Sequence, residues 1–515
     1  MTGQKKGMIA AGDRATAAAG QGILEAGGNA FDGAIAAMLA AFVVEPTLTS
    51  AGGGGFLLAH TQAGENILFD FFSQTPRQQK PVEAIDFYPV DVNFGDATQQ
   101  FHIGLGSIAV PGTIAGAFRI HQALGRLPFE VVAEPAIAYA EQGFYLSEFQ
   151  GFCIHKLLAP ILLALPEGRQ IYAPQGKLIQ AGDKVYMRDF AETLRTLIHK
   201  GDREFYQGEI ARQFIKDTQA QGGHLTLEDL QNYRVMIQRP LQFNYRGYTC
   251  LTNPPPSSGG ALIAFALKLW EELDVAQITP QSREHLEQLA AVMKLTNRAR
   301  VHGYDRQIYE DNVAQSFLNP DFLEPYQEEL LNKFGSTTHI SVIDSEGNAA
   351  SVTTSNGEGS SYIIPGTGIM LNNMLGEADL NPGGFHHWPC DRRLSSMMSP
   401  TIILKDEKPY IVLGSGGSNR IRTAIFQVIS NLIDFEMPIQ DAIASPRVHW
   451  EDNIFNIEPP HQPELTANLQ VEPETEVIFW QNQSMFFGGV HGVQKNKNGE
   501  FEGAGDPRRG GVVSP

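Results

Sequence analysis

Gly335-Ser336-Thr337-Thr338-His339-Ile340-Ser341-Val342-Ile343-Asp344-Ser345-Glu346-Gly347-Asn348-Ala349-Ala350-Ser351-Val352-Thr353-Thr354 is the stretch whose reading decides the fold. Thr338, Ile340 and Val342 alternate with Thr337, His339 and Ser341, Asp344 to Asn348 form a polar cluster, and a second β-branched run follows. Period-two alternation on both sides of a short polar cluster predicts a hairpin, with a threonine pair at the start of its first strand.

A threonine hydroxyl is a weak nucleophile that needs a base, and its own α-amine can serve once the bond before it is cut. Such an amine titrates at about 7.7–8.0 in a free peptide, close enough to neutrality to accept and return a proton. For this chain that chemistry requires self-cleavage between Ser336 and Thr337. Taken alone, the pair is better explained by the fit of β-branched side chains to strands. The wider sequence adds weight. Thr-Thr-His, a short strand, an acidic-Gly-Asn turn and a second strand resemble the start of the small subunit of γ-glutamyltransferases, members of the N-terminal-nucleophile hydrolases. The resemblance extends over nearly the whole chain. It implies an α+β fold, the four-layer αββα sandwich of those hydrolases, made as one precursor. Residues 1–336 would form the large subunit region, and residues 337–515, beginning at the nucleophile, the small one.

Composition sets outer bounds. The chain has 515 residues, enough for a large core in one long domain or two closely joined ones. Its formal charge of −19 argues against nucleic acid or an anionic membrane as partner. Cys153, Cys250 and Cys390 are sparse and odd in number, with no metal-type spacing, so neither a disulfide framework nor a zinc site is expected and a reducing, cytoplasmic setting fits. The first residues, followed by Asp13 and Arg14, do not read as a signal peptide. The longest apolar run, Ala34 to Val44, is too short for a bilayer of ~30 Å.

Ala15 to Val44 reads as two helices broken at Gly27-Gly28-Asn29, the second apolar nearly all round and therefore buried. Four glycines, Gly52 to Gly55, lead into a strand; Phe56-Leu57 rather than Lys-Ser/Thr follows them, so a phosphate loop is a poor reading. A further strand is expected at Ile67 to Phe72. Asn253-Pro254-Pro255-Pro256-Ser257-Ser258-Gly259-Gly260 reads as a rigid turn opening a long helix and resembles a signature of the same family. Pro320 to Gly335 is polar and charged, an expected exposed lead-in to the cleavage point. His386-His387 with Cys390 lacks a third spaced ligand group and reads as a surface loop rather than a metal site.

The resemblance also assigns roles. Thr337 would be the nucleophile. Ser355 and Asn356 stand nearest to a hydroxyl residue and an asparagine of the family's site, and Glu377, after Leu371-Asn372-Asn373, to the acid that holds a substrate α-ammonium. Ser395 and Ser396 match paired serines that bind the glutamyl α-carboxylate, and the backbone amides of Gly416 and Gly417 match an oxyanion hole. Gly505-Asp506-Pro507-Arg508-Arg509 matches a structural or maturation-linked turn. Two positions depart from the pattern. Asp70-Phe71-Phe72-Ser73 lacks the arginine that forks onto the α-carboxylate, with Arg77 as a candidate substitute, and Met374 replaces a polar partner. The implied activity is γ-glutamyl transfer or hydrolysis on glutathione-like amides, with water or an amino-acid or peptide acceptor, no cofactor, and a heterodimer after self-cleavage. Phe72 and Met374 keep a second reading open, an acylase of the same catalytic type acting on glutaryl or other side-chain amides. A third is a non-catalytic relative that binds.

Overall fold

The computed structural model describes residues 6–93, 98–310, 312–319, 322, 337–381, 383–451, 453–460, 469–471, 474–496 and 498–514. Ser336 and most of the expected lead-in lie outside these residues. Strands β1 (Gly7–Ala11), β2 (Gly54–His60), β3 (Asn66–Asp70), β4 (Met236–Gln238), β5 (Leu241–Tyr245), β6 (Tyr248–Thr252), β7 (Thr338–Asp344), β8 (Ala349–Ser355), β9 (Thr401–Lys405), β10 (Lys408–Gly416), β11 (Gly489–Lys495), β12 (Phe501–Ala504) and β13 (Val512–Ser514) build two sheets. One is seven-stranded in the order β13-β1-β7-β8-β2-β3-β4, the other six-stranded in the order β12-β11-β10-β9-β6-β5. The predicted hairpin is β7-β8, antiparallel, with Thr338 opposite Thr354 and Ile343 opposite Ala349.

Alternation along the strands sorts side chains into two cores. Ile9, Ala11, Leu57, Ile340, Val342 and Val352 face an outer helical layer that includes α1 (Arg14–Glu25), α2 (Ala30–Val44) and α3 (Phe129–Gln142). Met8, Ala10, Phe56, Leu58 and Ile343 instead join Leu251, Ile402, Ile411 and Leu413 of the second sheet, and that core continues into α4 (Ser258–Glu271), α5 (Arg283–Ala299) and α6 (Arg420–Ile433). The result is the helix-sheet-sheet-helix sandwich. Each fully buried Leu, Ile or Val contributes roughly 1.5–3 kcal/mol.

The helix pair forms as its sequence predicts, with α1 ending at Glu25 and α2 starting after Asn29, whose side chain caps the amides of Phe31 and Asp32. Every residue of α2 is buried, which explains its lack of a polar face. The strand expected at Ile67 to Phe72 ends instead at Asp70, where the Asp70 carboxylate accepts the Phe72 amide and turns the chain. Near its centre the seven-stranded sheet interleaves strands from both sides of the Ser336–Thr337 bond: β7 pairs with β1, and β8 with β2.

Candidate active site

Thr337 immediately precedes β7 and shares the strand face of His339 and Ser341, which looks toward the second sheet. That inter-sheet layer is polar here. His339 is fully buried, its Nδ1 is 2.8 Å from Thr353 Oγ1 and its Nε2 2.9 Å from Ser341 Oγ, and burial holds its pKa well below the ordinary histidine value, so the ring is neutral. Ser351 Oγ donates to Leu413 O of β10 at 3.1 Å and ties the two sheets together. Thr338, on the opposite face, donates to Glu45 at the end of α2 (2.8 Å).

At the end of this layer lies a cavity of ≈ 20 Å³, room for about one water, lined by Thr337, Ser355, Glu377, Asp379, Ser396 and Ser418 with an apolar wall of Phe72, Met374, Leu380, Met397, Met398 and Ile421. Of the residues singled out from sequence, Thr337, Ser355, Glu377 and Ser396 meet in it. Ser395 stands behind, its hydroxyl 3.3 Å from that of Ser258, and Ser396 O accepts both the Ser257 hydroxyl (2.9 Å) and the Ser258 amide (2.8 Å). The Pro-Ser-Gly turn at the start of α4 is thus the backing of the paired serines. Asn356 does not line the cavity; its carbonyl accepts the Asn373 amide at 3.3 Å.

Gly416 ends β10 opposite Gly489. A β-carbon there would lie 1.8 Å from Thr337 O, so only glycine allows the strand end to approach the Thr337 backbone. Arg509 Nη1 donates to the same carbonyl at 3.3 Å, and Nη2 to Met485 O at 3.2 Å. The Asp506–Arg509 turn that carries it is fixed by buried ion pairs, Arg447 to Asp506 (2.6 Å) and Arg508 to Glu458 (2.5 Å). The turn expected to be structural or maturation-linked therefore touches Thr337.

Two carboxyls share the cavity. Burial, then Asp379 and Glu358, push Glu377 well above the ordinary carboxylic range, and burial also raises Asp379. Like charges that interact this way do not both ionise readily, so a proton on the pair is favoured. Arg77 does not enter the cavity; its guanidinium lies 3.6 Å from Glu228 and 3.3 Å from Asp391 on a partly exposed face. Arg393 lies behind Phe72 but is committed elsewhere, to Asp70 (3.1 Å), Phe72 O (2.8 Å) and Arg234 O (2.8 Å). No lysine or arginine lines the cavity among the described residues.

Sequence reading missed Asp379, Ser418, Glu45 and the Ser257-Ser258 backing. An acid two positions after Glu377 was the available signal for Asp379; the others meet the site only through the fold. No helix among the described residues is long and apolar enough to cross a membrane.

Comparison with known proteins finds relatives along nearly the whole chain. A glutathione hydrolase proenzyme of Escherichia coli (strain K12) is 30% identical, with 98% of this chain and 90% of that protein covered. An acylase ACY 1 proenzyme of Pseudomonas sp. (strain SE83) is also 30% identical, over 97% of this chain and 91% of that protein. The crystal structure of cephalosporin acylase from Bacillus halodurans superposes with a TM-score of 0.86 at 25% identity, covering 99% of this chain and 96% of that one. The sequence model of the family described as gamma-glutamyltranspeptidase matches residues 16–515, and the chain belongs to that family.

Proposed function

We propose that this chain is a self-processing γ-glutamyl acyltransferase or hydrolase that uses Thr337 as an N-terminal nucleophile. The supporting observation is the convergence of Thr337, Ser355, Glu377, Ser396 and Ser418, from separate segments, on one cavity between the sheets. After cleavage of the Ser336–Thr337 bond, Thr337 Oγ attacks the carbonyl carbon of a glutathione-like γ-glutamyl amide. The α-amine of Thr337 takes the hydroxyl proton and delivers it to the leaving amine as the C–N bond breaks. Amides of the turn after β10 stabilise the oxyanion. Water or an acceptor amine then attacks the ester, the α-amine removes its proton, and the threonine hydroxyl is restored. The two products of cleavage, residues 1–336 and 337–515, stay together as a heterodimer because β1-β7 and β8-β2 pairing crosses between them. A reducing, cytoplasmic setting is part of this reading and rests on Cys153, Cys250 and Cys390 being free thiols.

The first test is intact mass under denaturing conditions. Wild type should separate into two chains and Thr337→Ala should remain one; an uncut wild-type chain would overturn the self-processing mechanism.

A second reading has its own support in the cavity wall. Phe72 and Met374 line the cavity with apolar side chains at positions where the family resemblance expects polar anchors, and the raised Glu377 carboxyl is poorly prepared for an ammonium. Leaving a buried carboxylate without its partner costs roughly 1–3 kcal/mol or more. The alternative substrate is an amide of a dicarboxylic acid without the amino-acid head. Rates on γ-glutamyl and glutaryl anilides decide between them, and a strong glutaryl preference would favour the acylase.

A further inference from the structure

The turn after β10 holds a side-chain-bearing residue in a conformation that normally calls for glycine. Gly417 has φ of 122° and Ser418 has φ of 51°, and α6 begins at Arg420. Glycine adopts the first without penalty, whereas the left-handed region is disfavoured for serine. A specific contact compensates: the Ser418 hydroxyl donates a hydrogen bond to Asp379 Oδ2. Asp379 is 6% exposed, and its other oxygen has no hydrogen-bond partner among the described residues. A buried carboxyl oxygen left without a hydrogen-bond partner is costly in a merely structural role, even with Arg420 and Arg300 nearby. Both residues line the cavity that contains Thr337. Among the described residues the amides of Gly417 and Ser418 have no acceptor, while Gly416 is packed against the carbonyl of Thr337 itself.

We propose that Asp379 is a positioning residue for acyl transfer: by accepting the Ser418 hydroxyl it clamps Ser418 in the left-handed conformation that directs the Gly417 and Ser418 amides toward the oxygen of the carbonyl attacked by Thr337. The oxyanion donors are thereby placed one residue later than the Gly416-Gly417 pair expected from sequence. This rests on the acyl-transfer reading above. The clamp matters most where negative charge develops on oxygen, so its loss lowers kcat more than it raises KM. It also makes Asp379 dispensable when residue 418 is glycine, which adopts a positive φ unaided.

The experiment is a double-mutant cycle of Asp379→Ala and Ser418→Gly, read as kcat and KM on whichever anilide the enzyme turns over, with thermal melting as the folding control. Asp379→Ala should lower kcat at least about tenfold in the wild-type background, with KM little changed. In the Ser418→Gly background it should lower kcat by no more than about twofold. Ser418→Ala, which loses the hydroxyl but keeps a β-carbon, should fall at least about tenfold below Ser418→Gly, and this comparison carries the test if Asp379→Ala does not fold. Equal losses from Asp379→Ala in both backgrounds, or a change confined to KM, would overturn the clamp. Failure of the acyl-transfer reading is seen separately, as full turnover by Thr337→Ala.

Discussion

Replacing Glu45 by glutamine probes the buried carboxyl that supports β7, the strand that follows Thr337. Glu45 is fully buried; Oε1 accepts the Thr16 hydroxyl at 2.6 Å and Oε2 the Thr338 hydroxyl at 2.8 Å. Burial first, and then the charge of Asp13, push its pKa from the ordinary 4.5 up to about 7 in spite of those two hydrogen bonds. Between these values the folded protein keeps a proton that the unfolded chain releases. The unfolded state binds fewer protons there, so stability falls as pH rises from 4.5 to about 7 and levels off above. At about 1.4 kcal/mol per pH unit, the loss by roughly pH 8 is about 3 kcal/mol. Glutamine has no such proton to lose. The stability of Glu45→Gln relative to its parent should therefore improve by about 3 kcal/mol between roughly pH 4.5 and 8, whatever the fixed cost of reorienting the Thr338 hydroxyl. Urea unfolding should be measured in a Thr337→Ala background, where an uncut chain avoids coupling unfolding to dissociation of two fragments. Parallel stability–pH curves for parent and variant would refute the reasoning.

Other substitutions test other parts of the site. Gly416→Ala places a methyl group against Thr337 O and should abolish both self-cleavage and turnover, checked by intact mass and anilide hydrolysis. Arg393→Ala strands Asp70 in the core and should cost about 3–5 kcal/mol in urea unfolding, because a buried pair broken on one side leaves an uncompensated charge. Met374→Gln adds a polar anchor to the apolar wall and should raise kcat/KM for γ-glutamyl relative to glutaryl anilide by about tenfold, the effect of one hydrogen bond to a charged group.

The legible parts of the sequence were those governed by neighbours along the chain. The β7-β8 hairpin, the α1-α2 break and the burial of α2 follow from side-chain period and capping, which act over a few residues. Ser396 and Glu377 were found because short words resemble the family's, and both line the cavity with Thr337. Where the reading reached across the chain it lost precision. Arg77 looked available to bind a carboxylate, but only the fold shows it beside Glu228 and Asp391. Asn356 is adjacent to Ser355 in sequence, yet only Ser355 reaches the cavity.

By itself, then, the sequence determined the elements, a candidate nucleophile at the head of a central strand, and the apolar identity of Phe72 and Met374, because each is a local fact of pattern or identity. The tertiary structure decided which distant groups share space and what charge they carry. Asp379 meets Ser418 across 39 residues and Glu45 meets Thr338 across 293, and the raised carboxyls at Glu45 and Glu377 arise from burial that no local window contains. Side-chain period is written in neighbouring residues, whereas desolvation and contact depend on how separate segments pack.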